Sequence, residues 1–407
     1  MRRGQLSDHL VGAAVKRLSA VDADPVRSNQ HEVGTTRQMR ESFLGDERQR
    51  RFDVTYIRLD DEDDALNVRG TATHYDARAG TPSRSAEWRL YYHSNAVTEA
   101  MREGDTLFLA KDAGGQLYFI VTPEGATAEK QLFWLFGLPP PGRSFVAREI
   151  SGNDFELDFA ARYILDEIGI DPEADDADRL DAIIDRYGTV FPGTAEFSRL
   201  ARDTARGVAH RDDPDAALLA WLEHEEALFR RLERRVVSAR LEAGFVADDH
   251  IDVDGFLRFS LSVQNRRKSR MGHSLENHLE QVFLACGVRH VRGAVTERRN
   301  RPDFLFPDID TYHAVPSGDD RLLMLGAKST CKDRWRQVLS EAAKIPRKHL
   351  LTLEPGISEA QTDEMRASDL QLVVPRSIQR SYGPVQRHWL LSLADFLASA
   401  RGNQARA

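Results

Sequence analysis

The chain has 407 residues, 41% hydrophobic and 29% charged, with a formal net charge of -8. That composition fits an ordinary folded protein with room for two or three domains, and no run of about 18 apolar residues offers a membrane span. The two cysteines, Cys286 and Cys331, are too few for a disulfide framework, and "MRRGQLSDHLVGAAVKRL" has no apolar core long enough for a signal peptide, so the expected location is cytoplasmic.

The charge is unevenly placed. Arg266 to Arg301 holds nine Lys/Arg against three Asp/Glu, whereas Asn153 to Asp185 is strongly acidic. A basic surface on one domain and an acidic connector average to the observed total, so the overall sign does not exclude nucleic acid. Charge runs are nonetheless more often plain solvated surface.

In chain order, residues 1–150 read as β-rich. "RFDVTYIRL" (Arg51 to Leu59) alternates with the strand period, and "EWRLYYHS" (Glu87 to Ser94) adds a strand. In "DTLFLAKDAGGQLYFIVTP" (Asp105 to Pro123), Asp112-Ala113-Gly114-Gly115 is a hairpin turn between apolar runs. Short strands with few helices predict a barrel-like β domain. Residues 151–188 read as an acidic helical connector. From 189 to 407, helical spacing in "DAALLAWLEHEEALFRRLERRVVSARLEAG" (Asp215 to Gly244) is followed by the apolar runs "DFLFP", "RLLMLGAK", "HLLTL" and "LQLVVP". That alternation predicts an α/β domain around a central mixed sheet.

Several signals fail. "HIDVDGF" (His250 to Phe256) resembles a calcium loop, but His250 holds the first ligand position and Leu261 the twelfth. "HRDD" (His210 to Asp213) resembles a kinase catalytic loop without its glycine-rich loop or Asp-Phe-Gly. There is no P-loop, Rossmann fingerprint or Cys/His zinc pattern.

Four pieces survive. In "SRMGHSLENHLEQVF" (Ser269 to Phe283), Leu275, Leu279, Val282 and Phe283 form an apolar stripe, and Glu276 and Glu280 share one side at i,i+4. Such a pair, alone, is usually solvated. "NRPDFLFP" (Asn300 to Pro307) sets Asp303 at the mouth of a buried strand, placed either for a divalent cation or for a simple turn. "LMLGAK" ends a second buried strand at Lys328, which could merely snorkel. Metal-dependent nucleases often end such a strand in (Asp/Glu)-x-Lys, because alternate residues share a face. Here the position two before Lys328 is Gly326. In the following "STCKDRWRQVLSEA", Trp335, Val338, Leu339 and Ala342 make the buried stripe of a helix capped by Ser329 or Thr330, with Glu341 at its edge. The missing carboxylate is therefore expected on this helix, thirteen residues after Lys328. Asp303 and Glu341 would hold Mg²⁺, with Glu276 as an outer or second ligand.

The stretch from Ser262 to Tyr382 closely resembles the catalytic domain of the EcoRII-type restriction endonucleases, a branch of the PD-(D/E)xK nucleases. "SVQNRRKSRMGHSLENHLEQVF", "RPDFLFP", "KSTCKDRWRQVLSEAAKI" and "LQLVVP" carry the resemblance. It implies a restriction-endonuclease-like α/β fold and catalytic roles for Glu276, Asp303, Lys328 and Glu341. It also implies base reading by Lys332, Asp333 and Arg334; arginine suits the guanine edge and aspartate the cytosine amino group. Arg266, Arg267, Lys268 and Arg270 are expected on the phosphate backbone. "VKRLSAVDADPVRSNQHEVG" (Val15 to Gly34) and "RSAEWRLYY" (Arg84 to Tyr92) are similar to the two recognition arms of the family's effector-DNA-binding pseudobarrel. Lys16, Arg17, Asn29, Gln30, His31, Arg84, Glu87 and Arg89 are then expected near DNA. The bland alternative makes Trp88 and Leu90 core and the charges surface decoration.

The expectation is a Mg²⁺-dependent type II restriction endonuclease that cuts both strands at a short CCWGG-like site as a homodimer, leaving a 5′-phosphate and a 3′-hydroxyl. A second site copy on the N-terminal domain would relieve autoinhibition, and a companion methyltransferase would protect host DNA. The competing reading is a DNA-binding regulator with an inactive nuclease domain, against which the retained Asp303, Lys328 and Glu341 argue. An RNA or structure-specific nuclease on the same scaffold is the third.

Overall fold

The computed structural model describes residues 4–23, 31–62, 65–80, 84–152, 155–171, 177–209, 211–247 and 250–405. Asn29 and Gln30, and the side chains of Ala247, Lys268 and Asp333, lie outside the described residues. The chain forms two compact units: Arg2–Pro172 with Pro355–Thr362, and Glu173–Glu354 with Asp363–Ala407.

The first unit is built on an eight-stranded sheet. In chain order its strands are β1 (Leu10–Arg17), β2 (Glu32–Gly34), β3 (Gln49–Arg58), β4 (Leu66–Asp76), β5 (Trp88–Tyr92), β6 (Thr106–Asp112), β7 (Leu117–Thr122) and β8 (Val146–Glu149). Their order across the sheet is β2-β5-β4-β3-β7-β6-β1-β8. Every pairing is antiparallel except β3 with β7. The expected hairpin is present, with Lys111 opposite Leu117 and the Asp112 amide on the Gln116 carbonyl. Because successive residues face opposite ways, Leu107 and Leu109 enter one core and Phe108 and Ala110 another. Val33 of β2 and Ala147 of β8, from the two ends of the strand order, share a single core. The sheet must therefore curl. Its other face is covered by α1 (Thr127–Phe136) and α2 (Phe159–Glu167) through Leu132, Leu135, Ala161, Ile164 and Leu165.

The acidic connector expected over 151–188 does not stand alone. Its first half, α2, buries its apolar stripe in the first unit's core. Its second half, α3 (Ala177–Ile184), buries Leu180 and Ile184 against α4 (Thr194–Thr204) and α5 (Pro214–Glu242) of the second unit. Both helices are amphipathic, and each apolar face needs a core. The segment Pro355–Thr362 belongs to the first unit: Gln131 Nε2 donates to the Pro355 carbonyl (2.8 Å), and the Ser358 amide to Thr127 Oγ1 (3.2 Å).

The second unit combines these helices and the long α6 (Val253–Ala285) with a five-stranded sheet. A two-stranded hairpin, β9 (Val246–Ala247) and β10 (His250–Ile251), joins α5 to α6. The sheet strands are β11 (Val291–Arg292), β12 (Phe304–Phe306), β13 (Leu323–Lys328), β14 (Lys348–Thr352) and β15 (Leu370–Val373), adjacent in that order. The first two pairings are antiparallel and the last two parallel, which is the mixed α/β sheet expected. Leu275, Leu279, Val282 and Phe283 of α6 are fully buried. Phe283 meets Phe304 and Phe306 edge-on at 5.0 and 5.2 Å, so this helix is clamped to the strand that follows Asp303.

Candidate active site

The β12–β13 register places Phe304 opposite Leu325, so Asp303, one step back, stands opposite Gly326. Residues directly opposite on an antiparallel pair share a face. Lys328, two residues on from Gly326, shares it too. Asp303 Oδ2 accepts from Lys328 Nζ and from the Ala327 amide, both at 2.8 Å. The turn after Lys328 is pinned by the buried Glu354, whose carboxylate accepts from the Cys331 amide.

A Cβ on Gly326 would lie 3.0 and 3.2 Å from the two methyls of Val338. Val338 belongs to α7 (Trp335–Leu339), which packs directly over this point of the strand. A side chain there would be tight against Val338 and Leu350, which would have to give by a few tenths of an ångström. The helix is shorter than its periodicity predicts: it ends at Leu339, and Ala342 takes a φ of +45°. Glu341 therefore sits in the turn just past the helix, not on it, but it does point inward. It is half-buried, and its Oε2 has no hydrogen-bond partner. Burial, then the Asp303 charge, pushes its carboxyl up to about 7, against the opposing pull of Lys328 and Lys348.

The turn carrying Glu341 is held from three sides. Lys348, buried at the start of β14, donates to the carbonyls of Ala342 (2.7 Å) and Ile345 (2.6 Å). Lys344 Nζ caps the carbonyls of Tyr312, His313 and Val315 at 3.0, 3.0 and 2.9 Å. Asn300 Nδ2 donates to the Ser340 carbonyl at 2.7 Å. Sequence reasoning missed these three; each acts on backbone carbonyls, for which no residue pattern exists.

Asp303 and Glu341 fit a divalent cation: one carboxylate is oriented by Lys328, and the other carries an orphaned, partly desolvated oxygen. Mg²⁺ commonly takes only one or two carboxylates and keeps several waters. Glu276 is engaged by an arginine. It accepts from Arg292 Nε (3.2 Å) and Nη2 (2.7 Å), while Arg292 Nη1 bridges to Glu280 (3.1 Å) and Asn277 (2.8 Å). Among the described residues no group of three His, Cys, Asp or Glu side chains could hold a metal.

Of the expected base-reading cluster, Lys332 and Arg334 lie in the turn between Lys328 and α7, Lys332 with a φ of +28° and Arg334 exposed. The Asp333 side chain lies outside the described residues. In the basic run, Arg266 is exposed and stacks over Phe191 (4.3 Å), and Arg267 pairs with the buried Glu233 through Nε at 2.7 Å. The Lys268 side chain lies outside the described residues. Arg270 departs from expectation. It is only 5% exposed, paired with Glu225 and Glu226, and lies over the Phe229 ring. Glu225 also meets the buried His278 at 2.9 Å, so Arg270 completes an internal network and does not face a ligand.

In the first unit, Lys16 is likewise buried, with its Nζ on Asp22 at 2.8 Å. Arg17 is held by the Gly104 carbonyl, Thr106 and Glu129. Glu87 and Arg89 pair with each other, Arg89 also with Glu32 and Glu87 with Arg78. His31 is half-buried with Nδ1 unpartnered, and Arg84 is exposed. Leu90 is core, whereas Trp88 is half-exposed and stacks on His74 at 4.9 Å.

A family model described as EcoRII C terminal matches residues 229–397, which contain Asp303, Lys328 and Glu341. The chain is 42% identical over 213 residues to the type II restriction enzyme EcoRII of Escherichia coli, covering 52% of this chain and 51% of that protein. It thus spans about half the length of this relative. Two solved structures of metal-depleted Ecl18kI bound to uncleaved DNA also match. One, with modified DNA, has 17% identity and a TM-score of 0.44 over 57% of this chain and 85% of that one. The other has 18% identity and a TM-score of 0.45 over 56% and 85%.

Proposed function

On the premise that residues 229–397 are homologous to the C-terminal part of a type II restriction enzyme, we propose that this chain is a Mg²⁺-dependent, site-specific DNA endonuclease. The observation that carries the proposal is the meeting of Asp303, Lys328 and the inward Glu341 at the end of β13. Asp303 and Glu341 would hold the divalent cation, which would supply Lewis acidity toward water and the phosphate. Lys328 Nζ donates one proton to Asp303 and keeps two for the water and a phosphate oxygen, where it offsets negative charge in the transition state. Asp303, fixed by the Ala327 amide, holds Lys328 in place. Hydrolysis then leaves a 5′-phosphate and a 3′-hydroxyl.

Arg334 of the Lys332–Asp333–Arg334 turn has the chemistry for a guanine edge, and Asp333 that for a cytosine amino group. This supports a short CC/GG-flanked target of the CCWGG kind. A two-fold site calls for a homodimer. The β-rich first unit is read as a pseudobarrel that takes a second site copy and relieves autoinhibition. Within it, Arg84 is exposed and has no ion pair among the described residues, whereas His31 packs edge-on against Tyr92 and Lys16, Arg17, Glu87 and Arg89 have internal partners. The test is direct: purified chain, Mg²⁺ and unmethylated plasmid should give linear DNA with fixed ends. Intact plasmid across effector concentrations would return the case to a DNA-binding regulator.

A further inference from the structure

Of the expected phosphate-binding run, Arg267 and Arg270 are held by glutamates of α5, yet three other arginines shortly precede Asp303 in the chain. Arg298, Arg299 and Arg301 lie in the loop leading to Asp303, are exposed, and have no acidic partner among the described residues. Arg298 (φ +56°) and Arg299 (φ +62°) are consecutive non-glycine residues in the left-handed region. L-residues enter that region reluctantly, and such strain persists only where the surroundings over-determine it. Here they do. The Thr296 amide and Oγ1 both donate to the Asn300 carbonyl at 2.9 and 3.3 Å, closing the turn. Asn300 Nδ2 ties it to Ser340, the residue before Glu341. Glu297 accepts from Tyr312 Oη at 2.5 Å. Arg298, Asn300, Ser340 and Lys348 line one open cavity of about 490 Å³ together with Glu297, whose carboxylate is engaged by Tyr312.

We propose that the Arg298–Arg299 turn is a phosphate-gripping element that holds the backbone of duplex DNA beside the Asp303–Lys328–Glu341 centre. This rests on the endonuclease reading. The turn's backbone is held in place, and its two guanidinium groups, unpaired among the described residues, have the geometry for bidentate contact with phosphodiester oxygens. Its links to Asp303 through the chain and to Glu341 through Asn300 fix the grip relative to both carboxylates.

The test uses the full chain and a fluorescein-labelled CCWGG duplex, with Ca²⁺ in place of Mg²⁺. Anisotropy gives the affinity across a KCl series. The variants are Arg298→Gly, Arg299→Gly and the double variant. Glycine favours the same left-handed backbone, so the turn keeps its shape and only the guanidinium is lost. The expected result is a slope of log affinity against log salt shallower by about 1 in each single variant and about 2 in the double. Thermal midpoints should be unchanged or higher, and Arg298→Lys should keep most of the parent slope. A parent slope retained in the double glycine variant would overturn the grip while leaving the nuclease reading standing. Failure of the parent to bind the duplex at any salt would overturn both.

Discussion

Gly326 explains why this centre departs from the usual strand motif. The position that would carry the carboxylate is tightly bounded by the methyls of Val338. Restoring the usual motif by Gly326→Asp should therefore destabilise the protein by about 1–3 kcal/mol through overpacking and should not substitute for Glu341. Urea unfolding of Gly326→Asp, and cleavage by Gly326→Asp/Glu341→Ala, check both halves. Glu341 also sets a pH dependence. Its carboxyl is raised from 4.5 to about 7, so folding favours its protonated form. That contribution to stability is complete below the unfolded value and is lost as pH rises through about 7. Cation binding needs the carboxylate and runs the other way. Mg²⁺ should raise the thermal midpoint little near pH 5.5 and more above about 7.5, and Glu341→Gln should flatten both trends. A parent whose Mg²⁺-free stability rises over that range would contradict the assignment. The pairing of Asp303 with Lys328 was legible in the sequence because strand alternation fixes directions locally, whereas Glu341 was expected on the helix and lies in the turn beyond its end. The lysine and asparagine clamps on carbonyls were not legible, because any donor at any separation can do that work.

At the scale of elements, the α5–α6 pair shows where charge patterning misleads. Arg266, Arg267 and Arg270 are nearly adjacent in sequence but point to different surroundings: a phenylalanine face, a buried glutamate, and the Glu225–His278 network. Only the glutamates of α5, far back in the chain, decide which arginine is free. Arg270→Ala removes a cation from beside the buried Glu225 and should cost about 3–5 kcal/mol. Arg266→Ala should cost less than about 1 kcal/mol, the worth of an exposed cation–π contact. Equilibrium urea unfolding separates the two; equal small losses would show that the network carries no stability. The end of α7 gives the same lesson. Apolar spacing continues through Ala342, yet the helix stops at Leu339, where Asn300 and Lys348 hold the turn that follows.

At the scale of the whole molecule, composition and element order already divided the chain into a β-rich part and an α/β part. The acidic residues of the stretch expected as a connector mark only the solvent sides of α2 and α3. The apolar sides belong to two different cores. The curl of the first unit's sheet was expected only in outline, since a shared core between β2 and β8 is a non-local fact. If that unit takes an effector site, cleavage of a one-site plasmid should accelerate several-fold on adding a cleavage-resistant CCWGG duplex. A scrambled duplex should do nothing. Equal rates with both would remove second-site activation while leaving the catalytic centre untouched.

The most direct test of the relocated centre is cleavage of unmethylated CCWGG-containing DNA with Mg²⁺ by the parent, Lys328→Ala and Glu341→Ala. Fragments ending at one fixed sequence, formed by the parent and lost by at least about a hundredfold in both variants, are the expected result. Cleavage that survives in Glu341→Ala while failing in Lys328→Ala would contradict it, and would move the second carboxylate to Glu276 or Glu280.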